Sequence, residues 1–196
     1  MGATDARHRP SVGFLTVLEH PQHGLFGGYL LLNTAGRPLE FHCTAPIKPN
    51  RAQEILYGPT LQAFLYGEQI GQTLLAQCKR EPLLVCTDRL PMLTVREAVS
   101  VPVALVLPPE TPAVEPAVAD ASTVGDSRSI RVDARHAGPR LHVFQAGGHR
   151  LAVPERNADD GRLIVERLGE LGEGFDLAEP FGRIRAAIEE AQQAVG

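Results

Sequence analysis

His20 and His23, three positions apart, are the nearest thing in this sequence to a metal-ligand pair, with Cys43 or His42 on a later strand as candidate partners. Zinc takes nitrogen and sulfur ligands in a tetrahedral array, often from short spacings of this kind. The plainer reading is that His20-Pro21-Gln22-His23-Gly24 is a turn, where polar residues belong in any case. Strand alternation places Cys43 on the inward face and His42 on the outward one, so the two do not converge. The sequence therefore predicts no metal and no cofactor.

Nucleophilic chemistry fares no better. A catalytic cysteine needs a thiolate with a base in reach. Cys86 lies in an apolar strand, Cys43 on an apolar face, and Cys78 ends a helix whose dipole disfavours a thiolate. All three read as small buried hydrophobes, and the sequence predicts no catalytic residue. No serine elbow and no glycine-rich phosphate loop is present. Glu68 is the more interesting acid. It falls near the apolar side of a helix, between Gly67 and Gly71 and close in sequence to Tyr57 and Tyr66. A carboxylate there is a candidate acid of raised pKa, set against the bland reading of a solvated residue at the edge of the stripe. With His42 these residues make the rival reading, an enzyme with an unfamiliar site around Glu68.

The elements that must position these groups follow from periodicity and breakers. Val12 to Glu19, Gly28 to Asn33 and Leu39 to Thr44 read as three strands joined by short turns, an antiparallel meander. Asn50 caps a short helix over 51–57. Pro59 opens a longer helix in which Leu61, Phe64, Leu65, Leu75 and Cys78 share one side. Gly67 and Gly71, four apart on it, permit close approach by another backbone. Leu83 to Thr87 and Val101 to Leu107 are strands, and Thr94 to Glu97 starts a helical turn. Residues 11–107 are thus expected to form an α+β domain, a meander with helices packed on one face, behind a tail over 1–10.

Residues 108–127 hold Pro108, Pro109, Pro112 and Pro116, with Glu110, Glu115, Asp120 and Asp126 and no base. Such composition buries too little to order itself and reads as an acidic linker. Beyond it, 128–196 reads as a small ββαα module. Ser129 to Asp133 and Leu141 to Gln145 are strand-like, and His149 to Val153 follows the Gly147-Gly148 turn. A helix then carries Leu163, Ile164, Leu168 and Leu171 towards Gly172 and Gly174. The final helix places Leu177, Phe181, Ile184, Ile188, Ala191 and Val195 in one apolar seam, which wants something to sit against.

Composition bounds the function. At 43% hydrophobic and 21% charged residues the chain is an ordinary globular sequence, and the 5% aromatic content gives little to stack bases on. Arg128, Arg131, Arg135, Arg140 and Arg150, with His136, His142 and His149, form a local basic surplus suited to an acidic partner or to the chain's own linker. The net charge of −4 sets nucleic acid aside as the main partner. Unpaired cysteines without a signal peptide predict a cytoplasmic protein, no stretch is apolar enough for a membrane, and the heavy use of Ala, Gly, Pro and Arg suggests a bacterial gene.

A meander leading into Pro46-Ile47-Lys48-Pro49-Asn50 resembles the ubiquitin-conjugating enzymes, in which a meander precedes a His-Pro-Asn tripeptide and the catalytic Cys. Lys48-Pro49-Asn50 stands in place of the tripeptide here, and no Cys follows before Cys78. The resemblance implies a catalytically dead accessory subunit. The reading favoured by the sequence is a non-catalytic scaffold or adaptor subunit, homo- or hetero-oligomeric, binding partner proteins through Tyr57, Phe64, Tyr66 and Glu68 on the glycine-bearing helix and Phe181, Ile184 and Ile188 on the terminal seam.

Overall fold

The computed structural model describes residues 10–109, 140–169 and 175–193. The expected tail before Pro10, residues 110–127 of the linker, the strand from Ser129 to Asp133, Arg128, Arg131, Arg135 and His136 of the basic surplus, Leu171, Gly172 and Gly174, and Val195 lie outside the described residues.

The meander is present. β1 (Ser11–His20) pairs antiparallel with β2 (Gly24–Asn33), and β2 with β3 (Pro38–Cys43). The second turn is set by Asn33, whose Oδ1 accepts from the amides of Ala35 and Arg37, with Gly36 at φ 70°. On the other side of β1 the pattern changes. β4 (Leu84–Thr87) runs parallel to β1, and β5 (Val103–Val106) parallel to β4. β7 (His149–Pro154) then pairs antiparallel with β5, and β6 (Leu141–Ala146) closes the edge against β7. The result is one mixed sheet in the order β3-β2-β1-β4-β5-β7-β6, an α+β fold.

Both faces of that sheet are covered. On one lie α1 (Arg51–Tyr57), capped by Asn50 in a reciprocal box with Gln53, and the helical passage after it. That passage is 3₁₀ over Gly58–Thr60, α over α2 (Leu61–Ala63), π over Phe64–Gln72 and α again over α3 (Thr73–Ala76). A 3₁₀ segment, Leu90–Glu97, packs beside it. Leu65, Tyr66, Ile70, Leu74, Met92 and Val95 from these elements close over Leu15, Val17, Tyr29, Leu31 and Val85. The opposite face carries α4 (Ala158–Gly169) and α5 (Glu179–Gln193), whose Ile164, Leu168, Phe181, Ile184 and Ile188 cover Val12, Phe14, Leu30, Leu84 and Cys86.

Gly27 and Gly28 let the two layers close. They point to opposite faces of β2, as neighbours on a strand must. A Cβ on Gly27 would stand 2.2 Å from Ile70 Cγ2, and one on Gly28 2.3 Å from Ile184 Cγ2. The same holds in the π-helical stretch, where a Cβ on Gly67 would meet Thr94 Oγ1 and one on Gly71 would come 2.9 Å from Met92 Sδ.

These contacts correct the two-body reading. The close approach prepared by Gly67 and Gly71 is taken by the chain's own 3₁₀ segment. The seam of α5 lies against β1 and β2, leaving Phe181, Ile184 and Ile188 no more than 3% exposed. The segments before and after the linker share one sheet and one pair of cores. An ion pair between Arg96 and Asp160, and bonds from Arg167 to the Leu83 carbonyl and Arg183 to the Gly36 carbonyl, tie them further. The apolar surface that argued for outside partners is covered from within.

Candidate functional site

In open sheets with parallel strands, ligands gather outside the carboxyl ends of the strands where the chain order reverses. Here β2 and β3 go to one side of β1 and β4 to the other, so that point lies between β1 and β4. Thr16 follows Leu15, the last residue of β1 to pair with β4, and Asp88 follows Thr87, its partner. Thr16 is fully buried in an otherwise apolar run, and its hydroxyl donates to Asp88 Oδ1 at 2.5 Å. Arg185, from α5, donates to Asp88 Oδ2 at 2.6 Å. Arg89 Nε lies 3.8 Å from Asp88 Oδ1, and the Arg89 amide donates to Thr87 Oγ1. That Nε is buried and has no hydrogen-bond partner among the described residues.

On the other face of β1 the polar line continues. The buried phenol of Tyr66 donates to Glu19 Oε1 at 2.5 Å. Burial, and then the bond to Glu19, push the Tyr66 hydroxyl up to about 12, with Arg89 pulling the other way. Arg185, Asp88, Thr16, Arg89, Tyr66 and Glu19 thus form a continuous polar band across the ends of β1 and β4. It holds two carboxylates and two guanidiniums, with both Arg side chains 36% exposed. Guanidiniums fixed by a carboxylate, yet open on one side, are suited to phosphate oxygens. Strand alternation sets Glu19 on the face of β1 opposite Thr16, so the two carboxylates do not converge on a single ion.

The Tyr66 shift carries a pH dependence. Between 10.0 and about 12 the unfolded chain has lost a proton that the folded chain keeps, so stability falls as pH rises through that window. Tyr29, also raised by burial, adds to the same slope. In Tyr66→Phe the drop in urea midpoint between roughly pH 9 and roughly pH 11 should be smaller than in the parent. An equal drop in both would contradict this account of Tyr66.

The residues singled out from sequence are distributed differently. Tyr57 stacks on Phe64 at 4.0 Å, and with exposed Glu68 they line a cleft of about 270 Å³ with Thr94 and Glu97. Tyr66 points away from that cleft to Glu19, and His42 lies on β3 beside Glu40, so the four groups of the rival enzyme reading do not meet. His20, His23 and Cys43 do share a groove of about 730 Å³ with Ile188 and Gln192 of α5. His20 Nδ1 there accepts from the Gln22 and His23 amides, as the turn reading requires. Neither hollow holds as many converging charges as the cluster around Asp88.

The face assignment of β3 is corrected. Tyr29 pairs with His42 and Leu31 with Glu40, which puts Glu40 and His42 on the helix-covered face and leaves Phe41 and Cys43 exposed. A register shift between Leu31 and Leu32 accompanies this. Cys86 is fully buried, which pushes its thiol up and holds it protonated.

No protein-family model matches the chain, and comparison with curated proteins gives no match. Among solved structures it is similar to Ciona intestinalis endonuclease V, solved with a 23mer DNA containing an inosine followed by a ribo-adenosine. The identity is 9% and the TM-score 0.45, over 96% of this chain and 88% of that one. It is similar also to human ENDOV, at 12% identity and a TM-score of 0.44, over 96% and 87%. At those values the likeness carries no argument about residues or reaction. Both similarities extend over 96% of this chain. The non-catalytic scaffold or adaptor, with the conjugation-pathway and Glu68 alternatives, is corrected, as is the exclusion of nucleic acid. The physical reasons lie above: Tyr66 and the α5 seam of Phe181, Ile184 and Ile188 are buried within the chain, the groups of the Glu68 site do not meet, and a net charge says nothing about two arginines gathered around Asp88.

Proposed function

We propose that this chain acts on nucleic acid and holds a strand by its phosphates at the charged cluster around Asp88, where β1 and β4 cease to pair. Arg89 and Arg185 supply the guanidiniums, Asp88 fixes them, and Thr16 fixes Asp88. The observation that carries the reading is the pair of guanidiniums of Arg89 and Arg185, both held beside Asp88 and both 36% exposed. Cations fixed in this way and open on one side suit phosphate oxygens. Asp88, beside a phosphate so held, is the carboxylate placed to take a proton from an attacking water. Among the described residues no helix is long and apolar enough to cross a membrane. The cytosol, where nucleic acid is at hand, is the compartment this reading takes.

The test is fluorescence anisotropy of labelled single-stranded and duplex oligonucleotides, with the same samples run on a denaturing gel to score cutting. Arg185→Gln and Arg89→Gln should each weaken binding by about tenfold, and removing both should flatten the salt dependence by about two phosphate contacts. Binding that is absent in the parent, or unchanged in the double variant, would contradict the reading.

A further inference from the structure

A second cluster, away from Asp88, has the chemistry of a metal site. Glu40 and His42 project from one face of β3, and Cys78 sits just past the end of α3. One carboxylate oxygen, one imidazole nitrogen and the sulfur all lie within 4.8 Å of one another. We propose that Glu40, His42 and Cys78 bind a zinc ion at this edge of the sheet, leaving its fourth position to water beneath the Tyr29 hydroxyl.

Three observations support a ligand here rather than a plain ion pair. Glu40 Oε2 takes the Lys79 amide at 3.0 Å and faces His42 Nε2 at 3.2 Å, yet Oε1 is buried with no partner, on a side chain only 10% exposed. A buried carboxylate oxygen without a donor is rare in native proteins. The Tyr29 hydroxyl is likewise buried, facing the Cys78 sulfur with Glu40 close by. Its ring stacks on His42, and Gly13 is the neighbour that makes room for it, since a Cβ there would stand 2.6 Å from the hydroxyl. The pocket is therefore shaped around the polar groups and not merely lined by them.

The donor set decides the ion. Tetrahedral zinc, with bonds of about 2.0–2.3 Å, separates its ligands by roughly 3.3–3.8 Å, a modest contraction of the present cluster. One nitrogen, one thiolate and one carboxylate suit zinc better than magnesium or calcium, which take oxygen alone. Two anionic ligands also balance its charge. Burial holds the free Cys78 thiol protonated, so without a metal it is no nucleophile. Zinc binding displaces that proton to solvent as the Zn–S bond forms.

The test uses the full chain, stripped with a chelator and titrated with zinc or with cobalt as a coloured substitute. Wild type should take up one ion per chain, and its cobalt form should show tetrahedral visible bands together with a thiolate-to-metal charge-transfer band. Cys78→Ser should abolish the charge-transfer band, and Cys78→Ser, His42→Gln and Glu40→Gln should each weaken zinc binding at least ~100-fold, the upper end of what loss of a mere outer-shell partner costs. Cys43→Ser should retain both, which separates this site from the groove holding His20 and His23. Should Cys78→Ser fail to fold, the wild-type cobalt spectrum decides alone. A parent that shows no charge-transfer band, or a Cys43→Ser variant that loses it, would overturn the proposal.

Discussion

Gly28→Val should destabilise the protein by about 3 kcal/mol, at the upper end of overpacking effects. Its Cβ would meet Ile184 Cγ2 at 2.3 Å and Ile188 Cδ1 at 2.9 Å, both on a helix held by its own seam. Neither partner is the tip of a long flexible side chain, so α5 itself must lift from β2. Any gain in strand propensity from valine is at most about 1 kcal/mol and does not offset this. The cause can be isolated by a double-mutant cycle with Ile184→Ala. The alanine alone opens a cavity, but in the Gly28→Val background it makes room, so the two costs should sum to more than the double variant shows. Strict additivity in urea denaturation would mean that α5 does not rest on Gly28.

Asp160→Ala is the second large effect expected, at about 3 kcal/mol. Asp160 and Arg96 form a two-pronged pair, Nε to Oδ2 at 2.6 Å and Nη2 to Oδ1 at 3.1 Å, with side chains 11% and 22% exposed. The bond holds the Arg96 guanidinium above its ordinary range; that rise goes with Asp160, but a guanidinium is basic enough to stay charged without it. An uncompensated, mostly buried charge costs about 3–5 kcal/mol, and the residual exposure of Arg96 argues for the lower end. Replacing the pair together, Arg96→Met with Asp160→Leu, should recover most of the loss, because no charge is then stranded. The pair joins the 3₁₀ segment to the first turn of α4, across the linker. Asp160→Ala should therefore lower the denaturation midpoint of the whole chain in one transition. Two separate transitions would restore the picture of tethered bodies.

Local signals in the sequence carried the local structure. The Asn50 cap and the Gly147-Gly148 hairpin each rest on backbone chemistry within a few residues, and each is found in place. What could not be read was which element covers which. The α5 seam announces a need for burial but not the identity of the cover, and β2 meets that need through two glycines with no pattern of their own. On β3, alternation separated Phe41 and Cys43 from Glu40, His42 and Thr44 but did not show which side looks inward, and the register shift carries Leu39 to the helix-covered side. Leu39, Phe41 and Cys43 are more apolar than Glu40, His42 and Thr44, yet Tyr29 lies opposite His42 and draws that face under the helices.

The Asp88 cluster was illegible for a related reason. Thr16 and Asp88 are 72 positions apart, and Asp88 and Arg185 are 97 apart, so no spacing connects them. A weak signal did exist. Thr16 is the one polar interruption between Val12 and Leu18, and Asp88 directly follows the apolar strand Leu83 to Thr87. Had those strands been placed side by side and parallel, the rule for carboxyl ends would have pointed to both residues. A meander leads the eye to antiparallel neighbours, and β4 is the first strand to depart from that.

The most direct test of the Asp88 cluster as a phosphate-binding site is to map amide chemical shifts of the labelled full chain as a short single-stranded oligonucleotide is added. The account predicts shifts concentrated at Thr16, Thr87, Asp88, Arg89 and Arg185, with the Arg89 Nε resonance among the most displaced. Shifts confined to the groove around His20, His23 and Ile188 or to the cleft at Tyr57 and Glu68, with the β1 and β4 ends unmoved, would contradict it.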